Sequence, residues 1–317
     1  MGPVLGNSGP PHLPARRSVA EVPVAEPEPV LSPQEILQLT PVGVDRLLDR
    51  LERTVPQRTP HLSLPEAPCA IVFGDTHGDW RSSLEVVREF EARGPGTVLI
   101  GLGDYIDRPP RDLPCGSVAN ALFLLMLEAR GPDRVVLLQG NHETQRRIPG
   151  YPHDLPNEMT RLWGDSPERY GRLMDLLGRG PLAASSRNGA YFAHAGFPRG
   201  RLPTPWTRAF DAPDVDRLLE LVWSEPQAGA GHRGAIEPWT EDELVAFLEQ
   251  SSRHTFWRGH DPDLTGRSLY HGRVLTLQTT RVFRRYGIVL AAVPLDRPLE
   301  DVAGAELRHL ATEGSSN

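Results

Sequence analysis

The chain of 317 residues contains no lysine, and all 34 of its basic residues are arginines. Lysine supplies the amine for Schiff-base catalysis and the phosphate ligand of a P-loop, so both chemistries are excluded. Replacement of lysine by arginine throughout a chain is typical of a GC-rich coding sequence, which favours a bacterial source. Any cation that binds phosphate in this protein is therefore an arginine or a metal ion.

Cysteine is also scarce, and the chain contains two, Cys69 and Cys115. Two cysteines cannot build a disulfide framework or a cysteine-based metal cluster. Neither is followed six positions later by arginine, because Asp75 and Ala121 stand there, which argues against a phosphatase with a thiolate nucleophile. The N-terminus lacks the apolar stretch of a signal peptide or a membrane span, so we expect a cytoplasmic protein that does not act at a membrane.

Positive charge is in deficit, since 34 basic residues against 41 acidic ones give a formal net charge of −7. No basic field indicates nucleic acid binding, and no run of like charge indicates a membrane surface. The sequence shows no obligate protein partner. An acidic protein that handles phosphate must supply positive charge locally, and bound metal ions do this well.

Four segments can be distinguished along the chain. Residues 1–31 are rich in proline and poor in aromatic residues, so we expect a disordered extension there. A capping box and an apolar stripe at helical spacing predict a helical preface over residues 32–67. A catalytic domain is predicted over residues 68–300, followed by a C-terminal tail over residues 301–317, of which we expect the last dozen residues to be frayed.

Within the catalytic segment, short apolar runs alternate with helical patterns. Runs of strand length occur at 70–73, 97–102 and 134–139, with helical patterns near 80–93 and 117–130. This alternation predicts right-handed βαβ units, and hence an α/β fold whose sheet is buried on both faces. Ligands of such a fold bind beyond the carboxyl ends of the strands.

Side chains that can bind metals follow these strands. They lie in the runs GDTHG (74–78), GDYIDR (103–108), GNHE (140–143), HAG (194–196) and RGH (258–260). Carboxylate, imidazole and amide ligands in this mixture suit two divalent cations that share a bridging group, a kind of centre that hydrolyses phosphate esters. Each run taken alone is also explained by turn or capping chemistry, since Gly-Asp pairs are common in loops.

The first two runs predict ligands and a phosphate contact. Asp75 and His77 are two residues apart, so in an extended segment their side chains leave on the same side and can reach one cation. Asp104 follows the next strand in the same geometry, where its carboxylate can bridge two metals roughly 3.5–4 Å apart. Asp107 is well placed to orient a histidine. Arg108 offers a planar fork for phosphate oxygens, with a plain surface arginine as the alternative.

The later runs add an amide and three imidazoles. Asn141 presents a neutral oxygen ligand, and His142 beside it points elsewhere, which fits a metal ligand next to a group that protonates the leaving alkoxide. His194 and His260 both end apolar strands, where a buried, hydrogen-bonded histidine is the alternative to a metal ligand. Arg233, in the run His-Arg-Gly, is a candidate second phosphate clamp.

These motifs, in this order and at this spacing, resemble those of the metallophosphoesterase superfamily, and specifically the phosphoprotein phosphatase family of Ser/Thr phosphatases in its bacterial type. The family pattern GDxHG, GDxxDRG, GNHE and HGG or HAG is matched here by GDTHG, GDYIDRP, GNHE and HAG. The similarity extends to VWSEP at 222–226, close to the family's LWSDP, and to the Arg-Gly at Arg233. It covers residues 68–293.

The resemblance implies a calcineurin-like metallophosphoesterase sandwich, in which two central β-sheets are flanked by helices. It also implies two divalent metal ions, for which Mn²⁺ is our first expectation, while Fe²⁺ and Zn²⁺ also tolerate such ligands. The implied ligands are Asp75, His77 and Asp104 for the first metal, and Asp104, Asn141, His194 and His260 for the second.

The resemblance further implies a catalytic mechanism and a substrate. His142, paired with Asp107, would be the general acid, and Arg108 with Arg233 would bind the phosphoryl oxygens. A metal-bound hydroxide would attack phosphorus in line, without a phosphoenzyme. The implied activity is the hydrolysis of phosphoserine and phosphothreonine in proteins, with a phosphoprotein as the expected partner.

Two alternatives stay open. A diadenosine tetraphosphate hydrolase of the same superfamily would carry similar motifs, and Glu143 argues against it because the corresponding motif there more often ends in aspartate. An inactive metal-binding scaffold that serves protein interactions would require the loss of a site residue. None of the site residues is lost from this sequence.

The sequence departs from the family pattern at two points. Pro109 replaces the glycine of the DRG motif, which we expect to shift the aim of Arg108. The family's SAPNY loop has no counterpart at residues 279–284, so its tyrosine near the phosphate is missing. For Arg281 and Arg284 we expect a plain surface role, with a place at that rim of the site as the alternative.

Overall fold

The structure, a computed structural model, describes residue 2 and residues 29–228, 236–283 and 288–310. Most of the expected disordered extension over residues 1–31 lies outside the described residues, as do Arg233 and Arg284. In the part of the chain that is described, no helix has both the length and the apolar character that crossing a membrane requires.

Two helices, α1 (Pro33–Leu37) and α2 (Pro41–Thr54), precede the sheets. α1 begins at the predicted capping box, in which the Ser32 side chain and Glu35 exchange hydrogen bonds. The apolar residues of α2 recur at helical spacing and are buried: Val44, Leu47, Leu48 and Leu51. Burial of one such side chain stabilises a fold by about 1.5–3 kcal/mol, so this stripe fixes the helix firmly on the domain.

The first sheet has five strands in the order β11-β10-β2-β3-β4. Its parallel strands are β2 (Cys69–Phe73), β3 (Thr97–Gly101) and β4 (Val135–Leu137), which follow the predicted apolar runs. Two antiparallel strands complete it, β10 (Ile288–Pro294) and β11 (Glu306–Leu310).

The predicted C-terminal tail over residues 301–317 is wrong at its start, because β11 pairs with β10 along its whole length. Ion pairs with the helix that follows β2 hold this edge strand in place. Arg93 contacts Glu306 at 2.7 Å, and Arg308 contacts Glu89 at 2.7 Å. The short charged strand gave no apolar run from which it could be predicted.

The second sheet has six strands in the order β1-β5-β6-β7-β9-β8. They are β1 (His61–Ser63), β5 (Ala183–Ser185), β6 (Ala190–Ala193), β7 (Thr255–Arg258), β8 (Ser268–Leu269) and β9 (Val274–Thr276). β1 pairs in parallel with β5, so the segment predicted as a helical preface, residues 32–67, contributes an edge strand as well as its helices.

Helices cover the outer faces of both sheets. α3 (Trp80–Ala92), α4 (Gly116–Arg130), α5 (Leu155–Trp163) and α6 (Pro167–Leu177) share a core with the first sheet, and α7 (Val215–Val222) and α8 (Glu241–Ser251) share one with the second. Alternate residues of β2 face opposite layers: Ile71 and Phe73 belong to the core that includes the helices, while Ala70 and Val72 belong to the core shared with the other sheet. The predicted α/β sandwich of two sheets flanked by helices is confirmed.

The two sheets meet at the carboxyl ends of β2 and β9. Asp75, just after β2, pairs through its backbone with Gln278, just after β9. Gly74 makes this approach possible, since a Cβ there would lie 1.9 Å from the Leu277 carbonyl oxygen. A residue with a side chain at position 74 would force the two sheets apart next to Asp75.

Candidate metal centre

The predicted site residues lie in loops at one end of the sandwich. Backbone N–H groups of Thr76 and His77 donate to the Asp104 carbonyl at 3.1 and 2.9 Å, which joins the first two loops. Left-handed backbone recurs in the site, with φ of 45° at His77, 57° at Asp104, 64° at Asp107, 51° at Arg108 and 72° at His260. This conformation is unfavourable for residues with side chains and persists where surrounding contacts impose it, often at functional sites.

Asp75, His77 and Asp104, the ligands expected for one metal, lie together and are called here the first donor set, meaning a group of atoms able to bind a metal ion. The His77 Nδ1–H donates to the Ile106 carbonyl at 3.1 Å, so the Nε2 lone pair faces the carboxylates. Nε2 lies 3.9 Å from Asp75 Oδ2 and 3.8 Å from Asp104 Oδ2. Burial lowers the pKa of His77 to about 3, which keeps the imidazole neutral and available as a ligand.

Asn141, His194 and His260 form the second donor set. The His194 Nδ1–H donates to the Leu102 carbonyl at 2.9 Å, which leaves a lone pair on Nε2. That Nε2 lies 2.9 Å from Asn141 Oδ1 and 3.1 Å from His260 Nδ1. Asn141 Oδ1 and His260 Nδ1 are themselves 3.0 Å apart. Three atoms able to bind a metal ion therefore lie within about hydrogen-bond distance of one another.

The chemistry of this convergence fits a cation. Asn141 Oδ1 and His194 Nε2 both present lone pairs, so the ring nitrogen of His260 can supply at most one proton to the group. Neutral imidazoles whose second nitrogen is fixed by a backbone carbonyl are the usual histidine ligands of divalent metals. The residues present thus suit a metal ion better than they suit hydrogen bonds with one another.

Asp104 links the two donor sets through its two carboxylate oxygens. Oδ2 faces the first set, 3.8 Å from His77 Nε2, and Oδ1 faces the second, 3.5 Å from His194 Nε2. Burial disfavours its charge, but the surrounding imidazoles outweigh that effect and lower the pKa of Asp104 to about 2. One carboxylate placed in this way can bridge two cations.

Without a bound cation, the ionised form of Asp75 is unfavourable. It is fully buried, and its burial together with the nearby Asp104 charge raises its pKa, despite the hydrogen bonds that it accepts from His260 N and Gln278 Nε2. Two divalent cations would remove the repulsion between these carboxylates and keep both ionised.

His142 lies between the donor sets and Asp107. Its Nδ1 is 2.6 Å from Asp107 Oδ2, and its Nε2 has no hydrogen-bond partner among the described residues. Nε2 is 4.0 Å from Asp104 Oδ2, and ligand atoms of His142, His77 and Asp104 all lie within 4.8 Å of one another, so His142 is also a potential ligand of the first metal. Burial alone would lower the pKa of His142, but Asp104 and Asp107 outweigh burial and raise it.

Arg108 reaches over the first donor set. Its Nη1 lies 3.5 Å from His77 Nε2, its Nη2 donates to the Tyr151 carbonyl at 3.1 Å, and its backbone N–H donates to Asp154 at 3.0 Å. The guanidinium therefore faces the centre although Pro109 follows it. The second predicted clamp, Arg233, lies outside the described residues.

Arg281, whose less favoured alternative was a place at the phosphate rim, pairs with carboxylates instead. Its guanidinium is bound to Asp79, with Nη2 at 3.0 Å, and reaches Asp112 at 3.3 Å, so Arg281 anchors its loop to the start of α3. Phe283 lies nearer the site, with its ring centroid 6.0 Å from that of His77. An aromatic side chain thus stands in the segment where the family's tyrosine is absent.

Sequence reasoning missed several residues that support the site. His153 contacts Asp107 at 2.9 Å, Gln278 donates to Asp75 at 2.7 Å, and Glu225 lies 3.8 Å from His260 Nε2. Only Glu225 had a sequence signal, since it lies in VWSEP. His153 and Gln278 stand in no motif, and tertiary structure alone brings them to the site.

Comparison with known proteins agrees with this geometry. Residues 70–286 match the family described as calcineurin-like phosphoesterase. The PP2A-like serine/threonine-protein phosphatase PPG1 of Candida albicans is 28% identical over 264 residues, which are 80% of this chain and 59% of that protein. A catalytic subunit of protein phosphatase 2A from Dictyostelium discoideum is 25% identical over 240 residues, which are 72% of this chain and 74% of that protein.

A solved structure shows the same fold. It is a protein serine/threonine phosphatase from Saccharomyces cerevisiae with similarity to human phosphatase PP5, and the two structures superpose with a TM-score of 0.63 at 20% identity. The match covers 90% of this chain and 92% of that one. The family match, which spans most of the chain, and the converging donor sets lead to one conclusion: the protein belongs to the calcineurin-like phosphoesterase family.

Proposed function

We propose that the protein is a metal-dependent phosphomonoesterase that hydrolyses phosphoserine and phosphothreonine in proteins. The observation that carries this proposal is the position of Asp104, whose two oxygens face two separate donor sets next to His142 and Arg108. The named relatives, both protein phosphatases, support the choice of substrate.

The donor sets would hold two divalent cations, for which we propose Mn²⁺, with Fe²⁺ and Zn²⁺ also compatible with the ligands. When bound, the cations supply a nucleophile from water at neutral pH and positive charge for the phosphate group. The ligands would be Asp75, His77 and Asp104 on one side, and Asp104, Asn141, His194 and His260 on the other. A cytoplasmic location stays a prediction.

The side chains of this protein perform the remaining tasks. Arg108 would bind phosphoryl oxygens, since its planar fork faces the first donor set and a doubly charged monoester suits such a partner. Asp107 holds His142 Nδ1 at 2.6 Å, so that His142 Nε2 points toward the centre. His142 would then donate its Nε2 proton to the leaving oxygen of serine or threonine. The second phosphate contact from Arg233 remains a prediction.

The two alternatives make different demands on the site. A diadenosine tetraphosphate hydrolase would act on a polyphosphate with a nucleotide leaving group, and the argument against it still rests on Glu143 as a motif residue. An inactive scaffold would lack part of the machinery. The predicted ligands, His142, Asp107 and Arg108 all converge within the described residues, which supports an active enzyme.

A parallel assay tests the proposal. Purified protein with Mn²⁺, and the same protein with a chelator, would be given phosphoserine and phosphothreonine peptides, a phosphodiester and diadenosine tetraphosphate. We expect metal-dependent release of phosphate from the peptides at a kcat/KM well above that for the other substrates. Preference for diadenosine tetraphosphate would establish the first alternative, and no turnover of any substrate with metal bound would establish the scaffold.

A further inference from the structure

His153 occupies a position next to the catalytic pair that no motif predicts. Its Nδ1 lies 2.9 Å from Asp107 Oδ2, the same oxygen that His142 Nδ1 approaches at 2.6 Å. The His153 side chain is 17% exposed, whereas His142 and Asp107 are fully buried. Two imidazoles therefore share one carboxylate oxygen.

Asp107 is saturated with hydrogen bonds when His153 is included. Its other oxygen, Oδ1, accepts the backbone N–H groups of Asp154 at 2.7 Å and Leu155 at 3.0 Å. Burial opposes ionisation of Asp107, but hydrogen bonds from the two histidines outweigh burial and lower its pKa. A buried carboxylate with four donors has little freedom to rotate.

Tyr170 holds the His153 ring in place. The Tyr170 hydroxyl lies 2.9 Å from His153 Nε2, and the two rings pack edge to face with centroids 5.6 Å apart. Because a carboxylate oxygen can only accept, His153 Nδ1 carries a proton and donates it to Asp107 Oδ2.

α2 stabilises this arrangement by holding α6, the helix that carries Tyr170. Tyr170 lies on α6, and its neighbours Arg169 and Arg172 bind α2 through Asp45 at 2.7 Å and Glu52 at 2.6 Å. α6 is thereby held against α2, and Tyr170 is presented to His153 at a fixed place. The hydrogen bonds then continue through Asp107 to His142.

We propose that His153 is a positioning residue that fixes the Asp107 carboxylate for proton donation by His142. The inference rests on the proposed role of His142 as general acid. Without His153, one lone pair of Asp107 Oδ2 loses its partner and the carboxylate gains freedom to turn away from His142. The loss falls on the step in which the leaving oxygen takes up its proton.

The leaving group separates this role from a structural one. A serine alkoxide is a poor leaving group and needs a proton as it departs, whereas p-nitrophenolate leaves readily without one. A defect in proton donation therefore lowers turnover of a phosphoserine peptide much more than turnover of p-nitrophenyl phosphate. A defect in folding or in metal binding lowers both alike.

The experiment compares His153→Leu, which removes the donor, with His153→Asn, whose amide can still donate near the position of Nδ1. With Mn²⁺ present, we expect His153→Leu to lower kcat for the phosphoserine peptide roughly tenfold, within the range found for removal of such supporting partners. The KM for the phosphoserine peptide should change less than twofold. The turnover of p-nitrophenyl phosphate should also change less than twofold. His153→Asn should recover most of the lost activity.

His271→Leu is the matched control, because this histidine is exposed, with 87% side-chain accessibility, and lies outside the site. His142→Asn is measured on both substrates as the reference for loss of the general acid. If His142→Asn shows the leaving-group difference and His153→Leu does not, the inference is overturned while the role of His142 stands. If His142→Asn shows no such difference, the proposed role of His142 fails first. Equal losses on both substrates in His153→Leu, unrecovered by asparagine, also overturn the inference.

Discussion

Glu143 holds the backbone of Asp104, since its Oε2 accepts the Asp104 N–H at 2.7 Å. The same carboxylate accepts the N–H groups of Tyr105 at 2.8 Å and Gly140 at 2.9 Å. The last residue of GNHE therefore fixes the left-handed backbone of the carboxylate that both donor sets share. Hydrogen bonds thus join the GNHE motif to the GDYIDR motif. Because each motif depends on the other for its geometry, the complete series indicates the site more strongly than one motif alone.

Replacement of His142 by asparagine tests its assignment as general acid rather than ligand. We expect turnover of a phosphoserine peptide to fall by roughly 10²–10⁴, as is typical for loss of a general acid. The metal content should stay at two ions per chain, measured by plasma emission spectrometry. Unchanged turnover would contradict the role in catalysis, and loss of one ion would instead identify His142 as a ligand, since its Nε2 is 4.0 Å from Asp104 Oδ2.

Gly74→Ala tests the close approach of the sheets. The new Cβ would meet the Leu277 carbonyl oxygen at 1.9 Å, so the backbone must shift, and we expect a loss of roughly 1–3 kcal/mol in the free energy of unfolding. Gly171→Ala is the control, because this glycine lies within α6 and a Cβ there meets nothing within 4 Å. Alanine at position 171 should add roughly 0.5–1 kcal/mol. Urea denaturation measures both, and equal stability of the two variants would refute the clash.

His61 gives the protein an acid-sensitive element at the edge of the second sheet. Its ring packs on Trp206 and Phe210, with centroids 4.7 and 5.2 Å away, and Nε2 contacts the Ser185 hydroxyl at 3.1 Å. Burial, with the charge of Arg253, lowers its pKa to about 4 from the usual 6.5. The folded protein keeps His61 neutral, while the unfolded chain binds a proton below pH 6.5.

The contribution of His61 is therefore fully present above pH 6.5 and is lost as the pH falls toward 4. The full difference is on the order of 3–4 kcal/mol, at about 1.4 kcal/mol per pKa unit. His61→Phe keeps an aromatic ring and removes the titration. We expect it to lose less stability than the wild type between pH 7 and pH 5 in urea denaturation. Parallel losses in both proteins would show that His61 does not titrate in this range.

The grouping of the candidate metal ligands could be anticipated from the sequence because topology restricts where strand ends lie. Asp75, Asp104 and Asn141 follow parallel strands, and parallel strands bring their carboxyl ends to one edge of a sheet. His194 and His260 follow strands of the other sheet, and their place in the site came from the resemblance. The apolar runs of β2, β3 and β4 were equally visible because these strands are buried on both faces.

Other contacts have no local sequence pattern. His153 reaches Asp107 from 46 residues away, and Gln278 reaches Asp75 from 203 residues away, through loops whose course depends on the assembled sheets. Arg281, for which the sequence favoured a surface role over a place near the phosphate, pairs with Asp79 and Asp112, and neither carboxylate is close to it in the sequence. β11 was missed because it is charged and is defined by pairing with β10.

The most direct test of the account is an anomalous diffraction map of Mn²⁺-soaked crystals recorded at the manganese edge. We predict two peaks roughly 3.5–4 Å apart on either side of the Asp104 carboxylate, and no second peak in crystals of Asp104→Asn. A single peak in the wild-type protein, or two peaks that persist in Asp104→Asn, would contradict the claim that this aspartate joins two cations in one centre.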